Sequence, residues 1–92
     1  MPRIILNHDV DGWREKHWDD GTEQFFKLRL KYELGKKRFY AVERVRGHRP
    51  WCVVDRGEDD QTLLPPVVSG PFEDLEGAKA AYIFICSLSN KN

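Results

Sequence analysis

The feature that most constrains the fold of this chain is a strict alternation of apolar and charged side chains. From Phe26 to Leu34 every second residue is apolar, and the residues between them are Lys, Arg or Glu. Successive side chains of a β-strand point to opposite faces, so this period of two predicts a strand with one buried and one polar face. Residues 25–34 are therefore predicted to form a strand.

A second strand is predicted directly after it. Residues 35–37 (Gly-Lys-Lys) have turn composition, and residues 38–46 are rich in aromatic and β-branched side chains, as strands are. A tight turn opposes Tyr32 to Phe39, whereas one additional loop residue opposes Tyr32 to Tyr40. A slip of one residue exchanges the two faces of a strand, so both registers stay open at this point.

The middle of the chain predicts a third strand and a short edge strand. Residues 47–50 form a turn, residues 51–54 (Trp-Cys-Val-Val) a strand, and residues 55–62 an acidic loop. Two consecutive prolines, Pro65 and Pro66, lack the amide protons that a central strand needs. Residues 67–68 are therefore expected to add only a short edge strand.

From Asp74 onward the apolar spacing becomes helical. Asp74 is a predicted N-cap, because a carboxylate there accepts from free amides of the first turn. At about 100° per residue one wide apolar stripe results, suited to a helix lying on a sheet. The stripe consists of Leu75, Ala78, Ala81, Tyr82, Ile85, Cys86 and Leu88, and it leaves out Ile83 and Phe84. A buried strand over Ala80–Cys86 is the alternative that the alanines disfavour.

The predicted fold class is α+β: an antiparallel three- to four-stranded β-meander with one C-terminal helix packed on a sheet face. The 92 residues are expected to form one small domain, with an irregular segment at 1–22, the meander at 23–72 and the helix at 73–89. Within 1–22, residues 11–18 are interpreted as one helical turn that places Trp13 and His17 on the same side.

A packing pattern in the second half of the chain resembles that of many small β-meander-plus-helix domains. It joins a Trp-x-Val strand to a Gly-x-Phe return and an alanine-rich helix, through Trp51, Val53, Gly70, Phe72, Ala78 and Ala81. The resemblance implies this fold and no particular function.

Two locations are excluded by the apolar runs. The longest run, residues 80–86, is far shorter than the roughly 20 residues of a spanning helix. The first residues lack the apolar region of about 7–15 residues found in a secretory signal. The expected location is therefore the cytoplasm, with no membrane partner.

The chain offers no recognised catalytic or cofactor motif, so no catalytic residue, metal or cofactor is assigned. Cys52 and Cys86 lie in apolar runs typical of buried free thiols. His48 and Cys52 are about 13 Å apart along an extended strand, beyond proton-transfer distance. An N-terminal group (His8, Asp9, Asp11, His17, Asp19 and Asp20) is weighed as a metal site against polar turns around Gly12 and Gly21, and the turns are favoured.

Charge is strongly segregated although the formal net charge is zero. Residues 24–54 carry a balance of +7, residues 7–23 carry −4 and residues 55–76 carry −6. A basic hairpin of this kind can contact phosphates, with aromatic rings stacking on bases. The predicted binding residues are Lys27, Arg29, Lys31, Lys36, Lys37, Arg38, Tyr40, Arg44, Arg46, Arg49 and Trp51. Alternatively, the acidic segments fold back as internal partners of these cations.

The leading hypothesis is a non-enzymatic binding module whose basic hairpin contacts nucleic acid or an acidic protein surface. A second hypothesis is a protein-docking regulator or inhibitor, as phages and mobile elements often encode, or a homodimer, using Trp13, Trp18, Ile83 and Phe84. Alternatively, Trp13 and Trp18 cover a sheet face. A metal-dependent enzyme at the N-terminal histidines and aspartates is the third hypothesis.

Overall fold

The computed structural model describes residues 2–27, 40–45, 50–57 and 65–90. In these ranges one antiparallel sheet has its strands in chain order, and a C-terminal helix packs on it. The strands are β1 (Ile4–Val10), β2 (Trp13–Trp18), β3 (Thr22–Lys27), β4 (Tyr40–Val45), β5 (Trp51–Asp55) and β6 (Val67–Phe72), and the helix is α1 (Leu75–Asn90). The predicted α+β meander with one helix is confirmed, but the predicted number of strands is wrong, since the described residues form six.

The two additional strands come from the segment predicted to be irregular. β1 and β2 form a hairpin closed by Asp11 and Gly12, whose φ angles are 52° and 83°. Positive φ at both central residues is the hairpin turn that Asp-Gly favours, and its twist matches that of the flanking strands. The predicted helical turn at residues 11–18 is therefore wrong. Trp13 and His17 still share a face, because residues four apart in a strand do so.

A second sequence signal joins β2 to β3. The connection Asp19-Asp20-Gly21 ends in a glycine with φ of 94°, and the Gly21 amide donates to the Trp18 carbonyl at 3.1 Å. Three-residue hairpin loops commonly end in this way, with a left-handed residue that glycine adopts at low cost. Both turns around Gly12 and Gly21 are thus real, and they connect strands.

The first predicted hairpin has a different register in its described part. β3 begins at Thr22, earlier than predicted, and Phe25 pairs with Val42 while Gln24 pairs with Glu43. In either predicted register, Glu43 would pair with a residue at least four positions beyond Gln24. The observed pairing lets the Gln24 side-chain amide donate to Glu43 at 2.7 Å. The predicted turn at residues 35–37 and the rest of the alternating run lie outside the described residues.

The third strand and the helix agree with the sequence patterns, and the edge strand β6 is longer than predicted. β6 runs from Val67 to Phe72 along β5. Gly70 has φ of 126°, and a Cβ added there would approach the Cys52 Cα and Sγ to 3.2 Å. Only glycine tolerates both the positive φ and the lack of space for a Cβ, so Gly70 allows β6 to pass this close to β5.

Helix α1 begins where the sequence predicts. The Asp74 carboxylate accepts from the Gly77 amide at 2.7 Å, as an N-cap does. Ala78, Tyr82 and Cys86 are buried, and Leu75, Ala81 and Ile85 are partly buried and pack against the core. Leu88 is the exception in the predicted stripe, being 50% exposed, because it lies at the stripe's margin in the last turns of the helix.

The register divides the sheet into two faces. Trp13, Glu15 and Phe25 point toward α1, and we call this the helix-side face; Arg14, Lys16 and Phe26 point to the far face. Both faces are buried at β3, where adjacent Phe25 and Phe26 are 8% and 2% exposed. The strict division into an apolar and a solvated face therefore does not hold at the start of the alternating run.

No helix in the described ranges has the length and apolar character needed to cross a membrane.

Candidate functional site

A groove of about 690 Å³ lies between α1 and the β1–β2 hairpin. We call it the hairpin groove. Its apolar lining consists of Val10, Trp13, Phe25, Leu75, Ala80 and Ile83, and its charged lining of Asp11, Glu15, Glu76 and Lys79. Among the described lining residues, three carboxylates stand against one ammonium group, so the charged lining is mainly acidic around an apolar floor.

Aromatic rings form the floor of the groove. The Trp13 ring centroid lies 5.4 Å from that of Tyr82, whose hydroxyl accepts from the Lys27 backbone amide at 3.0 Å. The Lys79 ammonium lies 4.9 Å from the Trp13 centroid and 5.0 Å from the Phe25 centroid. A cation at this distance is attracted to the electron-rich ring face. The Lys27 ammonium also lies 5.2 Å from the Trp13 centroid, so two ammonium groups already contact this floor.

The apolar surface continues from the groove onto the outer side of α1. Ala80 and Ile83 line the groove, and Phe84 and Leu88 follow at helical neighbour spacings of four residues. Ile83 is 41% exposed and Phe84 is 63% exposed. Because Ala78, Tyr82 and Cys86 already fill the contact with the sheet, these residues form a separate exposed apolar surface, here called the outer helix surface.

A chain of ionisable side chains crosses four strands on the helix-side face. The carboxylate of Glu15 accepts from His8 Nε2 at 2.8 Å and from His17 Nε2 at 2.7 Å. His17 Nδ1 lies 3.6 Å from the Glu23 carboxylate, which also accepts from Arg44 Nε at 2.8 Å. Glu15, which lines the groove, is therefore tied to both histidines.

These contacts set the ionisation of Glu15. Partial burial by itself raises the pKa of this carboxyl, but the hydrogen bonds and positive charges of His8 and His17 outweigh burial and hold the pKa below its ordinary value of 4.5. The carboxylate consequently stays charged at the groove under ordinary conditions.

The N-terminal histidines and aspartates weighed as a metal site do not converge. His8 and His17 turn to Glu15, whereas the Asp9 carboxylate lies 2.8 Å from Arg14 Nε on the far face. The Asp19 carboxylate accepts from the Arg3 amide, near the start of β1. The Asp20 carboxylate accepts from the Thr22 amide two residues further on, as turn carboxylates do. Across the described ranges, no three His, Cys, Asp or Glu side chains are arranged to hold a metal ion.

Both cysteines are free and buried. Burial raises the pKa of the Cys86 thiol to about 11, so this sulfur stays protonated near neutral pH. Cys52 lies 3.7 Å from the Pro50 carbonyl, to which its thiol is a weak donor. His48, which an extended strand places too far from Cys52 for proton transfer, lies outside the described residues.

The described members of the predicted basic site are already engaged in the fold. Tyr40 and Trp51 are 9% and 7% exposed, so their rings are part of the core. Arg44 binds Glu23 and lies 4.5 Å from the Trp51 ring centroid, and Lys27 lies 5.2 Å from the Trp13 centroid. The remaining predicted residues are outside the described ranges: Arg29, Lys31, Lys36, Lys37, Arg38, Arg46 and Arg49.

The apolar docking residues are divided by the fold. Ile83 and Phe84 are exposed, whereas Trp13 is buried in the helix–sheet contact and Trp18 is partly buried at the end of β2. Sequence reasoning missed Glu15, Glu76 and Lys79, the charged residues of the groove. The Asp-Gly signal at residues 11–12 was the clue, because a hairpin there brings Glu15 beside the helix.

Comparisons with protein-family models, curated proteins and solved structures give no match to this chain.

We predict that Glu15→Gln makes the free energy of unfolding less dependent on pH below about pH 4.5. A carboxyl with a lowered folded-state pKa contributes stability above its unfolded pKa, near 4.5, and loses it as the pH falls through the lower folded value. Urea unfolding across this range is expected to show a steep loss of unfolding free energy below about pH 4.5 for the wild type, and a shallower loss for Glu15→Gln.

Glu73→Gln is the matched control, because Glu73 is exposed just before α1 and outside the histidine contacts. Parallel acid limbs for the wild type and Glu15→Gln would contradict the role given to Glu15.

Proposed function

We propose that this protein is a small, non-enzymatic binding module that docks onto a segment of another protein. The contact surface in this proposal is the hairpin groove together with the outer helix surface. The observation that carries it is the exposure of Ile83, Phe84 and Leu88 next to an apolar groove, although the side of α1 that faces the sheet is buried at its centre. Contiguous exposed apolar surface of this kind commonly marks a protein-binding site.

The shape of the surface supports a segment as the occupant. A groove beside an amphipathic helix suits an extended or helical peptide, which inserts a few apolar anchors while its polar side stays in water. Phe84 is the strongest candidate anchor, since large aromatic side chains dominate the energy of such contacts. Val68, by contrast, is exposed on β6 and is not among the residues that line the hairpin groove, and exposed apolar residues at strand positions are ordinary surface features.

We expect Phe84→Ser to weaken binding without unfolding the chain. The probe is a phage-displayed library of random peptides selected on the wild-type protein. Selected peptides are expected to lose about tenfold or more in affinity on Phe84→Ser and Ile83→Ser, as anchors at a contact centre do. They should bind Val68→Ser as they bind the wild type, because Val68 is exposed on β6, away from the groove.

Circular dichroism and urea unfolding establish that each variant is folded. Failure to enrich any peptide, or equal affinity for Phe84→Ser and the wild type, would contradict the proposal. A concentration-dependent dimer in sedimentation, abolished by Phe84→Ser, would instead make a second copy the occupant.

A second candidate function is contact with an anionic partner, nucleic acid or an acidic protein surface, through the basic hairpin. The supporting observation is the +7 balance of residues 24–54, which span the neighbouring strands β3, β4 and β5. Because Arg44, Tyr40 and Trp51 are engaged within the fold, this contact would depend on the cations outside the described ranges. The glutamate bound to Arg44 comes from the acidic segment 7–23, in line with the internal-partner alternative for that cation.

A salt series with DNA tests this second candidate. If the hairpin contacts phosphates, log affinity falls linearly with log salt, and Lys36→Glu/Lys37→Glu lowers the slope by roughly two, about one for each lost contact. Arg3→Glu/Lys91→Glu makes the same charge change outside the basic block and is the matched control. Absence of a gel shift at low salt, or equal weakening by both double variants, would exclude nucleic acid as the partner.

A further inference from the structure

We propose that the hairpin groove selects a partner segment that is basic as well as apolar, with a Lys or Arg side chain seated over Trp13 and Phe25. This inference rests on the proposed docking function and names the chemistry of its partner.

The charge of the groove is the first argument. Among the described lining residues, the carboxylates of Asp11, Glu15 and Glu76 face the groove against the ammonium of Lys79. The Lys27 ammonium lies beside them, 5.2 Å from the Trp13 ring centroid. The Glu76 side chain is 86% exposed at the rim of the groove, so its carboxylate is accessible to the cation of a partner. Complementary charge steers the approach of a partner and suppresses wrong partners, so this groove favours Lys and Arg over Asp and Glu.

The position of Lys79 also favours a partner that carries a cation. Its ammonium lies about equally far from the Trp13 and Phe25 ring centroids, at 4.9 and 5.0 Å, and 3.9 Å from the Glu76 carboxylate. The protein itself thus shows that this floor accepts an organic cation between two rings and a carboxylate. Because a lysine has a long flexible stem, Lys79 can withdraw toward Glu76 and solvent while the cation of a partner takes its place.

The same charges disfavour a second copy as the occupant. A two-fold dimer brings the same patch of both subunits together. Here two grooves with the same excess of carboxylates in their lining would come together, which adds repulsion at the contact. A partner of opposite charge has no such cost.

Three synthetic amphipathic peptides of about 14 residues test the inference. They share the same apolar positions and carry Lys, Gln or Glu at the polar positions, and fluorescence anisotropy measures their affinities at low and high salt. We expect the Lys peptide to bind tightest and the Glu peptide weakest, with the difference reduced at high salt by screening.

Two variants are expected to move the Lys-peptide affinity in opposite directions. Glu76→Lys should weaken it roughly three- to tenfold by reversing a rim charge. Lys79→Met should strengthen it about threefold, because it removes the competing ammonium while keeping an unbranched side chain of similar length. Glu73→Lys is the control for Glu76→Lys, since it makes the same charge change outside the groove.

The outcomes separate the two proposals. Equal affinities for the three peptides, or equal weakening by Glu76→Lys and Glu73→Lys, would overturn the preference for a basic segment and leave the docking function standing. No binding by any of the three, together with no library peptide that depends on Phe84, would overturn the docking function itself. Weaker binding to Lys79→Met would overturn the seating of a partner cation over the two rings.

Discussion

The ring contact between Trp13 of β2 and Tyr82 of α1 connects the N-terminal strands of the sheet to the helix. Helix α1 packs mainly on strands β4, β5 and β6, whereas Trp13 is on β2, two strands away from β4. Ring packing at 5.4 Å and the bond from the Lys27 amide to the Tyr82 hydroxyl connect the helix to β2 and β3. The hairpin groove lies beside this contact, between α1 and the β1–β2 hairpin. A smaller residue at position 13 would lose both the contact and the floor of the groove.

The sequence predicts the parts of the fold in which apolar periodicity is strong. The helix, its Asp74 cap and the strand at Trp51 follow directly from spacing and residue type. The hairpin of β1 and β2 does not, because β2 places Glu15 and His17 on the face that packs toward the helix. The polar partners of these two side chains come from other strands. The alternation of apolar and polar residues in the sequence therefore does not show that this face of β2 is packed against the helix.

Cross-strand pairing also changes the meaning of the charge segregation. Glu23 of the acidic N-terminal segment binds Arg44 of the basic block. Glu43 within the basic block is bound by Arg56, with distances of 2.6 Å to both carboxylate oxygens. Buried carboxylates need such partners, and the Glu23–Arg44 pair joins directly opposite positions of β3 and β4. The acidic groove was invisible in the linear charge pattern, because Asp11, Glu15 and Glu76 come from distant parts of the chain.

The central claim is that a partner segment enters the groove over Trp13, and the three tryptophans provide its most direct test. Their indole N–H resonances can be followed by ¹⁵N NMR while the Lys-bearing peptide is added. We expect the largest saturable shift at Trp13, since Trp18 points to the far face and Trp51 is buried and reaches the groove only through its ring contact with Phe25, 5.5 Å between centroids. Saturable shifts of Trp18 or Trp51 with Trp13 unmoved would contradict it.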